Sequence, residues 1–214
     1  MARCAPLGEG VVSSRKTTAR RSAPAARGAS ARVLRIIGGA WRGRKLRFPA
    51  GTLIRPTPDR VRETLFNWLG ARVHGARCLD LFAGSGALGL EALSRGAAHV
   101  TFVEQDASAA RALEATLAAW GAASAEVQRG DARRYLARAP RPLDVVFLDP
   151  PFASELLPEV AAALESRGWL APGALVYVEY AARATLPPLP AAWTALKEKR
   201  AGEVGYHLYT RANG

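Results

Sequence analysis

Hydrophobic residues alternate between two spacings along the chain after Gly70. Short apolar runs predict strands, and segments with apolar residues at helical spacing predict the helices between them. The predicted strands are Cys78–Phe82, Val100–Val103, a run near Val127, Val145–Leu148 and Ala174–Val178, and the predicted helices lie near 87–95, 107–120, 132–139 and 155–165. Because strands that alternate with helices form right-handed βαβ units, the pattern predicts an α/β fold with a doubly wound, mostly parallel sheet.

Two last strand-like runs close the chain, at Trp193–Lys197 and Tyr206–Tyr209. They have no helix between them, which predicts an antiparallel hairpin at the edge of the sheet. With this hairpin the predicted sheet has seven strands.

The first 70 residues do not follow this alternation. Residues 1–31 contain almost no large apolar side chains, so they cannot bury enough surface to offset the entropy of ordering, and we expect a disordered basic tail. Residues 32–70 are expected to form a small extension in front of the main domain, 71–214. In this extension two short runs around Gly38-Gly39 predict a basic β-hairpin, and apolar residues at helical spacing predict a helix over Asp59–Leu69 with Thr57 or Asp59 as its N-cap.

Positive charge is concentrated at the N-terminal end. The net charge is +12, and residues 1–62 carry 15 Lys or Arg against 2 Asp or Glu, whereas residues 63–214 carry 15 against 16. Such asymmetry is typical of an arm that binds a polyanion, and a nucleic-acid phosphate backbone is the obvious partner. A solubilising tail or an organelle transit peptide are alternative interpretations of residues 1–31. The basic residues expected to contact phosphates are Arg42, Arg44, Lys45, Arg47, Arg55 and Arg60.

Composition disfavours several other classes of protein. The chain has no apolar run of about 18 residues, the length that a membrane span needs, and no secretory signal pattern. Cys4 and Cys78 lie in unrelated contexts and form neither a disulfide framework nor a metal-ligand spacing. We therefore expect a cytoplasmic protein without a membrane span or a metal.

A glycine loop follows the first strand of the main domain. Gly84, Gly86 and Gly89 match the dinucleotide-binding pattern G-x-G-x-x-G, and Glu104 lies 20 residues beyond Gly84. A nicotinamide cofactor is disfavoured, because Asp80 would place a carboxylate beside its pyrophosphate. A positively charged ligand fits better, and S-adenosyl-L-methionine offers an ammonium and a sulfonium to Asp80 and a ribose diol to Glu104.

A third acidic residue, Asp131, follows the third predicted strand, where it could accept a hydrogen bond from the adenine amine. The residues expected to bind the cofactor are Asp80, Phe82, Gly84, Ser85, Gly86, Glu104, Gln105, Asp131 and Ala132. A purely structural role stays open for each of the three acids: Asp80 could brace the loop, Glu104 could be a solvated residue at a helix start, and Asp131 could be only a helix N-cap.

The fourth strand ends in an Asp149-Pro150-Pro151-Phe152 motif. An amine on a base ring needs two acceptors for its two N–H groups, and the Asp149 side chain and the Pro150 carbonyl could supply them. Phe152 could stack on an extruded base. Asp149, Pro150 and Phe152 are therefore the candidate catalytic residues. The alternative is a proline-rich turn that only ends a strand.

The glycine loop together with the proline motif resembles the class I (Rossmann-like) methyltransferases that methylate amines. Three N-terminal segments make the resemblance narrower, because they are similar to the bacterial 16S ribosomal RNA guanine-N2 methyltransferase family. The segments are 35–39 (RIIGG), 42–46 (RGRKL) and 55–67 (RPTPDRVRETLFN). The resemblance runs from about Arg35 to Tyr209 and implies S-adenosyl-L-methionine as cofactor and a guanine of 16S rRNA, in the assembling small subunit, as substrate. A monomer is expected, and the leader of 31 residues departs from the compact family pattern.

Two other hypotheses remain open at this point. One is an adenine or other amino-methyltransferase acting on DNA, RNA or protein, although amide-methylating relatives favour Asn at the position of Asp149. The other is a non-catalytic RNA-binding assembly factor. A base C5-methyltransferase is disfavoured, because neither Cys4 nor Cys78 lies where a nucleophile is needed.

Overall fold

The computed structural model describes residues 32–48, 57–151 and 155–213. The strands are β1 (Arg32–Arg35), β2 (Lys45–Phe48), β3 (Arg77–Asp80), β4 (His99–Glu104), β5 (Ala125–Arg129), β6 (Leu143–Leu148), β7 (Leu170–Ala181), β8 (Trp193–Ala201) and β9 (Val204–Arg211). The α-helices are α1 (Asp59–Leu69), α2 (Ala87–Ser94), α3 (Ala107–Trp120), α4 (Ala132–Leu136) and α5 (Leu156–Ser166). A 3₁₀ turn, Gly70–Val73, follows α1.

Seven strands form one central sheet in the order β5-β4-β3-β6-β7-β9-β8. The strands from β5 to β7 pair in parallel, and β9 pairs antiparallel with both β7 and β8. The predicted α/β class and the antiparallel edge hairpin are therefore confirmed. The chain order reverses between β3 and β6, and in open α/β sheets ligands bind at the carboxyl ends of the strands at such a point.

Apolar side chains form two clusters, one on each face of the sheet. Helices α1, α2 and α3 contribute to the first cluster, and α4 and α5 contribute to the second. Parallel strands that are covered on both faces are apolar along their whole length, which explains the continuous runs of β4 and β6.

Most elements lie where the sequence pattern predicts them, but several bounds differ: β3 ends at Asp80, and the closing hairpin is longer than predicted, with β8 at Trp193–Ala201 and β9 at Val204–Arg211. Helix α4 ends at Leu136, before the predicted 139, and β7 is longer than predicted because it extends from Leu170 to Ala181. Across the described ranges, no helix has the length and apolarity that a membrane crossing requires.

The N-terminal extension forms the predicted hairpin and helix. Strands β1 and β2 pair antiparallel, with Arg35 opposite Lys45. The predicted N-cap of α1 is wrong: Pro58 occupies the N-cap position, and no side chain caps the helix. The Thr57 hydroxyl instead donates to Asp149, and Asp59, in the first turn, accepts from Arg62.

A buried carboxylate on α2 fastens this extension to the main domain. Glu91 accepts hydrogen bonds from the backbone N–H groups of Ile37 and Gly38, both at 2.8 Å, and it pairs with the buried Arg62 on α1 at 3.5 Å. Gly39 lies so close to α2 that a Cβ there would be 1.8 Å from the Ser94 carbonyl oxygen. The two glycines and Arg62 thus have a structural role in holding the hairpin on α2.

Candidate functional site

The glycine loop connects the end of β3 to the start of α2. Gly86 adopts a positive φ of 77°, a conformation that glycine adopts without steric cost. Gly89, in the first turn of α2, packs directly on β4, because a Cβ there would be 2.2 Å from the Phe102 ring. The loop is therefore held close to the sheet, with its backbone at the carboxyl edge.

Asp80, at the end of β3, is 3% exposed. One of its carboxylate oxygens accepts a hydrogen bond from the Gly89 N–H at 3.0 Å, so Asp80 braces the loop. Burial is the main cause that raises the pKa of Asp80 to about 7; the Gly89 N–H opposes this shift, and the Asp149 and Glu104 carboxylates add to it. A cation placed beside this carboxyl group would favour its ionised form.

Glu104 ends β4 and is also buried. Its two oxygens accept hydrogen bonds from the N–H groups of Gly84 and Asp106, each at 2.7 Å. The interpretation as a solvated helix-start residue is wrong, because the side chain is inside and is turned towards the glycine loop. A carboxylate can accept about four hydrogen bonds, so Glu104 can still accept from a ligand diol.

Asp131 follows β5 and is the N-cap of α4. It accepts from the N–H groups of Arg133 and Arg134, and its side chain also pairs with Arg133, which lowers the pKa of Asp131. The N-cap role is thus present, and both oxygens have partners within the helix start. Of the other candidate cofactor residues, Ser85 and Ala132 are buried, Phe82 and Gly84 are half-buried, and Gln105 is exposed.

Asp149 follows β6 at the same edge of the sheet. The Thr57 hydroxyl donates to its Oδ2 over 3.4 Å, which is long for such a bond. Burial raises the pKa of Asp149 to about 7, and the Thr57 hydroxyl opposes this shift. Pro150 is buried, and Phe152 lies outside the described residues.

A further carboxyl group lies next to Asp149 and was missed in the sequence. Glu179 on β7 is 2% exposed, and its Oε1 accepts a hydrogen bond from the Tyr177 hydroxyl at 2.8 Å. Burial raises the pKa of Glu179 well above its ordinary value, and Asp149 adds to the shift. The signal was a single acidic residue in the otherwise apolar run Leu175–Tyr180.

The candidate phosphate contacts lie on a different part of the surface. Arg42, Arg44 and Lys45 are exposed on the hairpin and Arg60 is exposed on α1, while the Arg47 side chain and all of Arg55 are outside the described residues. The Arg44 guanidinium stacks on the rings of Trp41 and Trp120, at 5.9 and 5.6 Å from their centroids. This stacking joins the hairpin to the end of α3.

A pocket of about 430 Å³ lies between the end of α3 and the start of β5. Leu117, Gly121 and Val127 line it, and none of the predicted site residues does. It opens near the amino ends of the parallel strands, whereas Asp80, Glu104 and Asp149 are at the carboxyl ends. The carboxyl edge therefore stays the candidate active site.

Sequence similarity to known proteins extends over most of the residues that the structure describes. Residues 34–210 match the family model described as conserved hypothetical protein 95. Ribosomal RNA small subunit methyltransferase D of Escherichia coli is 52% identical over 178 residues, which cover 83% of this chain and 90% of that protein. The corresponding protein of Haemophilus influenzae is 47% identical, over 82% of this chain and 93% of its own length.

Solved structures give the same result. The structure of the Escherichia coli protein yhhF superimposes with a TM-score of 0.79 at 49% identity and covers 85% of this chain and 99% of its own. The chain therefore belongs to the ribosomal RNA small subunit methyltransferase D family.

Proposed function

We propose that this protein transfers a methyl group from S-adenosyl-L-methionine to the exocyclic N2 amine of a guanine in 16S rRNA. The observation that carries the proposal is the position of Asp149, which follows β6 at the same edge of the sheet as the glycine loop after the neighbouring strand β3. Family membership supports an S-adenosylmethionine-dependent methyltransferase that acts on ribosomal RNA.

The residues at the carboxyl edge fit this cofactor. Asp80 and Glu104 are buried carboxyl groups on adjacent strand ends, and Glu104 already holds the Gly84 N–H, so a ligand bound there would lie against the glycine loop. We infer that Asp80 binds the ammonium group, Glu104 the ribose diol and Asp131 the adenine amine. When bound, the cofactor supplies an electrophilic methyl group on a sulfonium centre.

The target amine is a poor nucleophile, because its lone pair is delocalised into the guanine ring. Asp149 and the Pro150 carbonyl would accept its two N–H groups, hold the nitrogen in place and stabilise the positive charge that develops on it. Phe152 would stack on the flipped base, which needs an aromatic face and no particular hydrogen bond.

The basic hairpin would hold the RNA backbone. Arg42, Arg44 and Lys45 are exposed on a hairpin that Glu91 fixes to the methyltransferase core, so phosphate contacts there would fix the orientation of the substrate. We infer that the enzyme acts as a monomer in the cytoplasm on the assembling small subunit.

The proposal is tested by methyl transfer to 16S rRNA, to assembled small subunits, to DNA and to protein, followed by mass spectrometry of the modified nucleoside. N2-methylguanosine in 16S rRNA is the expected product. A methylated adenine or protein amide would instead support one of the other amino-methyltransferases, and RNA binding without transfer would support the assembly factor.

The role of Asp149 is tested by Asp149→Ala, with Asp144→Ala at the other end of the same strand as the control. Loss of one preorganised acceptor should lower the single-turnover rate about a hundred- to a thousand-fold. Asp149→Asn should be milder, since its carbonyl still accepts. A near-wild-type rate for Asp149→Ala at full folding would leave Asp149 only the role of ending the strand.

A further inference from the structure

We propose that Glu179 and Thr57 are positioning residues, which form with Tyr177 a chain of hydrogen-bond donors aimed at Asp149 and keep that carboxylate ready to take the proton of the target amine. The proposal rests on the proposed function above. The four residues lie on three segments that meet only in the folded protein: Tyr177 and Glu179 on β7, Thr57 before α1 and Asp149 after β6.

The register of the sheet brings Glu179 next to Asp149. Val178 on β7 is paired with Leu148 on β6, so the residues that follow them, Glu179 and Asp149, are level on adjacent parallel strands. Neighbouring strands are about 4.8 Å apart. The Thr57 hydroxyl donates to Asp149 Oδ2 and also interacts with the Glu179 carboxyl group.

The surroundings of Glu179 do not favour its ionised form. The groups that face it are the Asp149 carboxyl on β6, the Asp80 carboxyl on β3, the Tyr177 hydroxyl on β7 and the Thr57 hydroxyl before α1. Tyr206 on β9 is paired with it across the strands and contacts Tyr177. Within the ranges that the structure describes, no Lys or Arg forms an ion pair with Glu179. A buried carboxyl group without a cation beside a second acid holds its proton at neutral pH.

When Glu179 is protonated, each hydrogen bond from Tyr177 through Glu179 and Thr57 to Asp149 can donate towards Asp149. Tyr177 donates to Glu179 Oε1 at 2.8 Å. The acid proton of Glu179 can then be donated to the Thr57 oxygen, and Thr57 donates its own proton to Asp149. An ionised Glu179 would instead attract the Thr57 hydroxyl and take this donor away from Asp149. The neutral form therefore keeps the negative charge of the pair on Asp149, where the amine binds.

Methyl transfer releases one proton from the target amine, and this proton needs an acceptor. The amine nitrogen forms a bond to the methyl carbon, and the carbon–sulfur bond breaks with its electron pair remaining on sulfur. The nitrogen then carries a positive charge and loses a proton to the Asp149 carboxylate, which releases it to solvent after the product leaves. A base with a pKa near the working pH is suited to both halves of this step.

The main test is the pH profile of single-turnover methyl transfer with saturating cofactor. The wild-type rate should rise with pH as Asp149 ionises near pH 7 and fall at alkaline pH as Glu179 loses its proton. Glu179→Gln still donates and cannot ionise, so it should keep the rise and lose the alkaline fall. Glu165→Gln, which changes a carboxyl group paired with Arg211 on the far hairpin, should keep both limbs. An unchanged alkaline fall in Glu179→Gln overturns the proposal.

Thr57 gives a second, independent test. Thr57→Val keeps the shape but removes the hydroxyl and should lower the rate about tenfold to a hundredfold, the usual value of one hydrogen bond to a charged group, without changing cofactor affinity. Thr57→Ser should restore the rate. A wild-type rate and pH profile in Thr57→Val would contradict the proposal.

A stability measurement needs neither cofactor nor RNA. The pKa of Glu179 is higher in the folded protein than in the unfolded chain, so its contribution to stability is present below pH 4.5 and is lost as pH rises towards the folded pKa. The Tm should fall less steeply with pH in Glu179→Gln than in the wild type or in Glu165→Gln. Equal slopes would reject a protonated Glu179, whereas absent methyl transfer in the wild type would reject only the proposed function.

Discussion

At the scale of single residues, two kinds of environment shift the pKa values of acids in opposite directions. Asp106 and Asp131 cap helices, and hydrogen bonds from their own helix or a neighbouring arginine lower their pKa values. Asp80 and Glu179 are buried and Asp149 is half-buried at the carboxyl edge of the sheet, and removal from water raises their pKa values. Such burial costs stability and is typical of functional sites, so these three residues mark the site.

Cofactor binding should depend on pH through Asp80. Its pKa of about 7 means that the carboxyl group is largely protonated below that pH, whereas a ligand ammonium binds the ionised form. Affinity should therefore fall up to about tenfold per pH unit below pH 7, and binding at pH 6 should release a proton. Calorimetry in two buffers of different ionisation enthalpy measures this release.

Asp80→Asn still accepts from the Gly89 N–H but carries no charge, so it should bind more weakly and without the pH dependence. Asp144→Asn, the same change near the amino end of β6, should behave as wild type. Proton release that persists in Asp80→Asn would assign the linkage to another group.

At the scale of elements, the sequence predicts what is encoded locally. Apolar periodicity gave the strands and helices of the main domain, and the glycine spacing gave the turn before α2. Thr57 and Glu179 could not be found in this way, because their roles depend on which strands are neighbours and in what register. Thr57 and Asp149 are 92 residues apart in sequence. Because Asp149 is so far away in sequence, the local pattern predicted Thr57 as a helix N-cap instead.

Glu91 should be essential for the attachment of the hairpin. Glu91→Ala leaves Arg62, which is fully buried, without its partner on α2, and breaking one side of a buried ion pair costs about 3–5 kcal/mol. Denaturant unfolding measures this loss. Glu63→Ala, at an exposed position of α1, should change stability by no more than about 0.5 kcal/mol. A similarly small effect for Glu91→Ala would mean that the apolar contacts of the extension suffice.

At the scale of the whole molecule, the basic residues and the carboxyl groups of the candidate active site lie in different parts of the protein. The positive excess belongs to the N-terminal 62 residues, and the carboxyl groups of the site belong mainly to the sheet edge. The hairpin stacks on the end of α3 through Arg44, Trp41 and Trp120, whereas β8 forms the opposite edge of the sheet. RNA held by the hairpin would approach the molecule from the β5 side.

This separation predicts the salt dependence of RNA binding. Each phosphate contact that is lost should reduce the slope of log K against log salt by about 0.7–0.9, so neutralising Arg42, Arg44 and Lys45 together should reduce it by about 2–3. Cofactor affinity should not change, because these side chains are on the hairpin and not at the carboxyl edge.

The matched control neutralises three exposed basic residues of β8: Lys197, Lys199 and Arg200. Fluorescence titrations of a 16S rRNA fragment at several salt concentrations give the slopes. If the β8 variant lost slope instead, the RNA would bind at the far edge of the sheet. If only deletion of residues 1–31 reduced the slope, the phosphate contacts would belong to the tail and the hairpin would have only a structural role.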